Sequence, residues 1–294
     1  MSYTIGFIGL GTMGLPMATH LQNRGHRLKL YARRPEVFEQ SARHLVEAGA
    51  FATTSLADVA SDVDIIITNV LGTADVQDLL IDRSDAVVHH AKTGTLIIDH
   101  STIDPKATQA IAARLKQAGL MMVDAPVSGG VWAAEGGTLI AMIGGEDDAC
   151  ATAMQVMEAY TKHITRVGVS GHGQIAKLCN QIAQVITIEG VAESLSFANA
   201  LGADPAQVLA AIEGGMGGSP MMSLMGPKMV NNEFQAGIAA RLHAKDAGIA
   251  VAASQAHALT LPCLEVVNRQ YQQLMDAGLG DQDSSMLFEM LKRR

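Results

Sequence analysis

Lys177 is a lone cation in "GQIAKLCNQ", with Ile175, Ala176, Leu178 and Cys179 as its immediate neighbours. A lysine in such company either snorkels from an amphipathic helix face or lines a cleft, where desolvation and nearby positive charge lower its pKa. In the second setting its ammonium suits proton transfer to or from a substrate hydroxyl. Asn180 and Gln181 follow three and four residues later and share its face if the segment is helical. "DAPVSGG" (124–130) forms a second group, in which the Ser128 hydroxyl and the backbone amides of Gly129 and Gly130 suit a substrate carboxylate. A plain glycine-rich turn explains the two glycines equally well. "DHST" (99–102) offers Thr102, either to a bound cofactor or as the N-cap of the helix that follows. "LHAKDAG" (242–248) holds His243, Lys245 and Asp246, or is simply a solvated helix start with Asp246 favourable to its dipole.

Near the N-terminus, "IGFIGLGTMGLP" (5–16) runs from an apolar stretch into Gly9, Gly11 and Gly14, with Leu10, Thr12 and Met13 between them. A strand before and a helix after make this spacing informative as a dinucleotide loop. Gly9 makes the tight turn, Gly11 lets the backbone approach a pyrophosphate, and Gly14 permits close helix–strand packing. The helix N-terminus beyond adds N–H groups and a favourable dipole for phosphate. The next strand ends in Ala32, Arg33 and Arg34, with no acid until Glu36. Two guanidiniums receive a 2′-phosphate as forked, charge-assisted donors, which favours NADP over NAD; the alternative is a pair of solvated loop arginines. Asn69 and Val70, closing the strand at 64–70, are further candidates for cofactor contact.

These residues need a scaffold. Strand-like segments at 4–8, 27–31, 64–70, 95–99, 121–124, 139–143 and 164–167 alternate with helix-like stretches such as 14–22, 35–48 and 105–118. That alternation predicts a doubly wound parallel sheet with helices on both faces. Beyond "RVGVSGHG" strand signals cease, and one long helical segment, 174–200, leads into further helices near 205–213, 244–257 and 264–277. The reading is an α/β Rossmann-type domain over 1–169 joined by a long helix to an all-helical domain over 170–294. "GGMGGSPMMSLMGPKM" (214–229) lacks a clean period and reads as a cleft wall or as methionine packing filler.

Composition fits this reading. Hydrophobic residues make up 48% of the 294 and aromatics only 4%, which favours helix-on-sheet and helix-on-helix cores. A net charge of -8 without a basic run argues against a nucleic-acid surface. The three cysteines are widely spaced and form no CxxC pair, so they read as reduced, buried residues rather than a disulfide framework or metal site. No signal peptide precedes the first strand and no apolar run reaches about 18–20 residues. A cytoplasmic protein without membrane attachment is expected.

"FIGLGTMGLPMA", "DAPVSGG", "GQIAKLCNQ" and "LHAKD", in this order, resemble the β-hydroxyacid dehydrogenase family over essentially the whole chain. The resemblance implies oxidation of a β-hydroxy acid, or reduction of its semialdehyde, with NAD or NADP. It implies that Lys177 protonates the carbonyl oxygen as hydride arrives from the nicotinamide. Ser128, Gly129 and Gly130 would hold the substrate carboxylate, with Asn180 and Gln181 orienting substrate. Thr102 and Lys245 would contact the cofactor, and Asp246 would help order the closed cleft. Within the family, "KLxNQ" and the closing "GLGDQDSSMLFEML" look more like tartronate semialdehyde reductases, although several relatives carry Asn where Gln181 stands. "ARRP" is similar to the NADP-using semialdehyde reductases. The expected reaction is reduction of tartronate semialdehyde to glycerate or its reverse. Dehydrogenation of 3-hydroxyisobutyrate or another short β-hydroxy acid, or reduction of succinic or glyoxylic semialdehyde, is the alternative. A homodimer or homotetramer without a metal is expected.

Overall fold

The computed structural model describes residues 2–235 and 237–292. Among them, nine strands make one sheet: β1 (Thr4–Ile8), β2 (Arg27–Tyr31), β3 (Phe51–Thr53), β4 (Ile65–Thr68), β5 (Leu96–Asp99), β6 (Met121–Asp124), β7 (Val127–Ser128), β8 (Leu139–Gly144) and β9 (Thr161–Gly168). The first six lie in the order β3-β2-β1-β4-β5-β6, all parallel. β8 then pairs antiparallel with β6 and β7, and parallel with β9.

β4 and β5 are buried at every position, as strands covered on both faces must be. Their side chains alternate between two cores. Ile65, Ile67, Leu96 and Ile98 join one with Ile5, Phe7 and Val123. Ile66 and Ile97 join the other with Ile8 and Met122. Two expectations change here. β3 and β7 are too short to show an alternating pattern and were not foreseen. The stretch 35–48 is two helices, Glu36–Glu39 and Arg43–Glu47: the chain breaks at Gln40 and returns so that Ala42 and Leu45 are buried.

The chain divides into two compact units, up to Lys177 and from Leu178 onward, with the division inside the helix His172–Ala200. Those 29 residues span about 44 Å at 1.5 Å per residue. The second unit is helical: Pro205–Ile212, Pro220–Asn231, Ala240–Ala256, Pro262–Asp276 and Leu287–Lys292 follow. Its core uses aliphatics and methionines around Tyr271 and Leu264. The Gly/Met tract is corrected in part. Ser219 caps the helix Pro220–Asn231 by accepting from the Met222 amide at 3.0 Å, and Met222, Met225 and Met229 lie buried at helical spacing. Methionine as filler was the right alternative. The cysteines also depart from expectation, since Cys179 and Cys263 are exposed and only Cys150 is buried. No helix among the described residues is long and apolar enough to cross a membrane.

Candidate active site

The order 3-2-1-4-5-6 places the glycine loop at the C-terminal end of β1, where the sheet's winding reverses between β1 and β4. In open α/β sheets this is the position for ligands. Each glycine has a separate reason. Gly9 adopts φ +109°, and a Cβ there would meet the Asn69 carbonyl at 2.2 Å. At Gly14 a Cβ would lie 1.9 Å from the Gly9 carbonyl and 3.1 Å from the Phe7 ring. Gly11 has open space on all sides and ordinary backbone, so nothing within the chain requires a glycine there. A group approaching from outside would. The helix Gly14–Asn23 behind the loop has no side-chain cap and no acid in its first turn, which leaves its N–H groups to an anion. Leu10 and Met13 are half-buried and Thr12 is exposed. Arg33 and Arg34 are exposed just beyond β2. This set fits a dinucleotide.

The tips of β4, β5 and β6 are joined through side chains that bind backbone. Asn69, after β4, donates its backbone N–H to the Ile8 carbonyl of β1 at 2.9 Å. The next amide, Val70, donates to Ser101 Oγ at 2.9 Å. Gln174, fully buried in the first turn of the long helix, donates through Nε2 to the Ser101 carbonyl at 2.7 Å and accepts through Oε1 from the Ile103 amide at 3.1 Å. Asp124, at the end of β6, accepts from the Gly171 and Gln174 amides at 2.8 and 3.0 Å. Burial raises its pKa against the pull of these amides. Gly173 must be glycine here, since a Cβ would meet the Asp124 and Met142 carbonyls at 2.6 and 2.7 Å. The first turn of the long helix is thereby fixed to the sheet.

One turn further on stands Lys177. It is 8% exposed, and its Nζ donates to the Val127 carbonyl at 2.9 Å. It does not snorkel. The structure thus brings together Lys177 and the "DAPVSGG" loop, where half-buried Ser128 follows Val127. Gly129 and Gly130 take φ of +129° and +68°, conformations that L side chains rarely adopt, and their run into the helix Gly130–Glu135 carries no side-chain cap. Thr102 is half-buried. It is not the N-cap: Asp104 caps the helix Pro105–Gln117, accepting from the Ala107 amide at 2.7 Å.

In the helical unit, Gln181 is buried; its Nε2 donates to Asp246 at 2.6 Å and its Oε1 accepts from Asn180 at 3.1 Å. Lys245 Nζ lies 2.9 Å from Asp246 Oδ1, an ion pair without hydrogen-bond alignment. The picture of a solvated helix start at 242–248 is wrong. The helix begins at Ala240, and His243 and Asp246 are 2% and 5% exposed. His243 is engaged with Ser284 at 2.7 Å.

Sequence reasoning missed several residues that shape this region. Asp99 is fully buried; it accepts from Thr68 Oγ1 at 2.8 Å and the Ser101 amide at 3.1 Å, while its Oδ2 has no partner. Burial pushes its pKa up to about 6. His100 beside it is pushed down to about 4 by the same cause. Asp124 and Gln174 stood inside quoted motifs, and the signal was a polar residue at a position that the adjoining strand or helix must bury.

With this geometry in view, comparison with known proteins places the chain. The profile of the NAD binding domain of 6-phosphogluconate dehydrogenase matches residues 4–168. That of the NAD-binding region of NADP-dependent 3-hydroxyisobutyrate dehydrogenase matches residues 171–291. The chain is 37% identical to 2-hydroxy-3-oxopropionate reductase of Escherichia coli over 268 residues, 90% of each chain. It is 34% identical to NAD-dependent L-serine dehydrogenase of Pseudomonas aeruginosa over 291 residues, 96% of each. A solved structure of Mycobacterium tuberculosis 3-hydroxyisobutyrate dehydrogenase with L-serine superposes with a TM-score of 0.88 at 29% identity, covering 99% of both chains. Fold and site together define an NAD(P)-dependent oxidoreductase acting on a hydroxy acid. The chain belongs to the β-hydroxyacid dehydrogenase family.

Proposed function

We propose that the protein reduces a small carboxylated semialdehyde with NADPH, tartronate semialdehyde to glycerate in the first instance, or runs the reverse oxidation. The observation that carries this reading is Lys177: a buried ammonium hydrogen-bonded to the loop that presents Ser128. Bound NAD(P)H supplies the hydride. Lys177 donates a proton to the carbonyl oxygen as that oxygen becomes an alkoxide, and takes it back in the oxidation direction. Ser128 and the Gly129 and Gly130 amides hold the substrate carboxylate. Asn180, on the following helical turn, orients the substrate. Gln181, its amide already engaged by Asn180 and Asp246, positions Asn180.

Gly9, Gly11, Gly14 and the residues between them cradle the pyrophosphate, and Asn69, Val70, Thr102 and Lys245 complete the cofactor's contacts. Arg33 and Arg34, exposed and with no ion pair among the described residues, favour the 2′-phosphate of NADP. In this assignment residues 1–169 bind nucleotide and 170–294 contribute to substrate binding and to a homodimer or homotetramer. L-Serine or 3-hydroxyisobutyrate oxidation is the second reading, supported by the names of similar proteins. Initial rates with tartronate, succinic and methylmalonate semialdehydes, each with NADH and NADPH, and with L-serine and 3-hydroxyisobutyrate in the reverse direction, decide between them. A kcat/KM highest for L-serine with NAD would replace the first reading by the second.

A further inference from the structure

The ring of His100 is buried directly after the end of β5. Its backbone amide donates to the Thr68 carbonyl at 2.8 Å, which fixes where the side chain projects. Nδ1 lies 2.6 Å from the Ala125 carbonyl, and Nε2 lies 2.9 Å from the Tyr160 hydroxyl. A carbonyl only accepts, so Nδ1 carries the proton, Nε2 accepts, and Tyr160 donates. The rings meet edge to face at 90° with centroids 5.6 Å apart, both are buried, and burial keeps the imidazole neutral.

Ala125 is held from both sides: its amide donates to the Asp99 carbonyl at 2.7 Å, and its carbonyl receives His100. Pro126 follows, with its fixed φ, and then Val127, whose carbonyl receives Lys177. On this geometry we propose that His100, oriented by Tyr160, is a positioning residue that sets the "DAPVSGG" loop against Lys177. Resting on the assignment of Lys177 and Ser128 above, it acts through Ala125 and touches neither substrate nor cofactor. Tyr160 acts one step further back by holding the ring through Nε2, so the pair forms a bracket from the start of β9 to the tip of β6.

The test uses purified full-length protein with Tyr160→Phe, His100→Ala and His100→Asn, assayed with NADPH and the fastest of the three semialdehydes. Tyr160→Phe deletes one oxygen and leaves Nε2 without a donor; kcat/KM falls about tenfold. His100→Ala removes the tether and costs about a hundredfold. His100→Asn, whose amide reproduces the Nδ1 donor, recovers most of that loss. Through the series, NADPH affinity, read from the cofactor's own fluorescence, stays within about twofold. Should His100→Ala fail to fold, Tyr160→Phe and His100→Asn decide alone. Unchanged kcat/KM in folded variants overturns the proposal, and so does a loss matched by equal loss of NADPH binding. Lys177→Ala, run alongside, separates the failures: if it still turns over, the assignment of the site falls, whereas a dead Lys177→Ala beside an unaffected Tyr160→Phe removes only the bracket.

Discussion

The two units satisfy their buried polar side chains by different means. In the first, most partners are backbone groups: Asp124 takes the Gly171 and Gln174 amides, Gln174 serves Ser101 and Ile103, and Lys177 meets the Val127 carbonyl, with Asp99–Thr68 and His100–Tyr160 as the side-chain exceptions. In the helical unit the pairs run from side chain to side chain, Gln181 with Asp246, Gln270 with Glu189 and His243 with Ser284. The reason lies in the secondary structure. Helix interiors consume their own N–H and C=O groups, whereas strand tips and helix starts leave them open. Asp283 supports the rule from within the helical unit: lying outside the long helices, it accepts from the Gly237, Ile238 and Ser285 amides as well as from Lys228. A tether to backbone holds a loop whatever its neighbouring side chains are, while a side-chain pair needs both members. Lys177 marks the change, tethered to backbone at the end of the first unit, with Gln181 one turn beyond in the second mode.

Four experiments sharpen or break this contrast. Lys177→Ala is expected to cut kcat by about 10²–10⁴-fold with NADPH affinity almost unchanged; comparable loss of nucleotide binding would make the tether structural instead. The next effect is on stability. Asp99, raised to about 6 from 3.8, binds a proton in the folded state that the unfolded chain lacks between those values, so its contribution falls as pH rises through that window. His100, lowered to about 4 from 6.5, does the reverse. Each is worth about 3 kcal/mol over its window. Denaturation of Asp99→Asn at pH 4 and pH 6 should therefore show stability rising with pH far more steeply than in the parent, and equal slopes would refute the opposition.

A double-mutant cycle on Gln181→Ala and Asp246→Ala should return a coupling of about 1.5–3 kcal/mol, as for a hydrogen bond to a charged group. Additive losses would show that the pair does not carry the helical mode. The smallest change is expected at the exposed arginines. Arg33→Ala with Arg34→Ala should weaken NADPH about tenfold or more, with NADH scarcely affected, measured as a ratio of dissociation constants. Equal weakening of both would remove them from cofactor choice.

Much of the scaffold was legible because the central parallel strands, buried on both faces, are near-continuous apolar runs, and β1, β2 and β6 begin and end at the residues read from the sequence. Gly9 and Gly14 were legible for the same local reason. β3 and β7, at three and two residues, carry no period to read. The helix Pro220–Asn231 was obscured by flexible methionines and an internal Pro227, although Ser219 followed by Pro220 marks its start. At the site, residue types and spacing singled out Lys177 and Ser128. The tethers through Asp124, Gln174 and His100 escaped because a carbonyl or amide has no residue type, so no pairing of letters announces the bond. His243 and Asp246 were singled out, but their burial was not, because their partners, Ser284 and Gln181, lie 41 and 65 residues away.

The neighbours Asp99 and His100 also bear on what a calorimeter would record. Folding loads a proton onto one and strips it from the other across nearly the same range, so the pair contributes almost nothing to net proton exchange with the buffer between pH 4 and 6. Unfolding heats measured in buffers of unlike ionisation enthalpy should then agree as far as these two groups are concerned. Replacing either residue alone would expose the hidden traffic as a whole proton taken up or released.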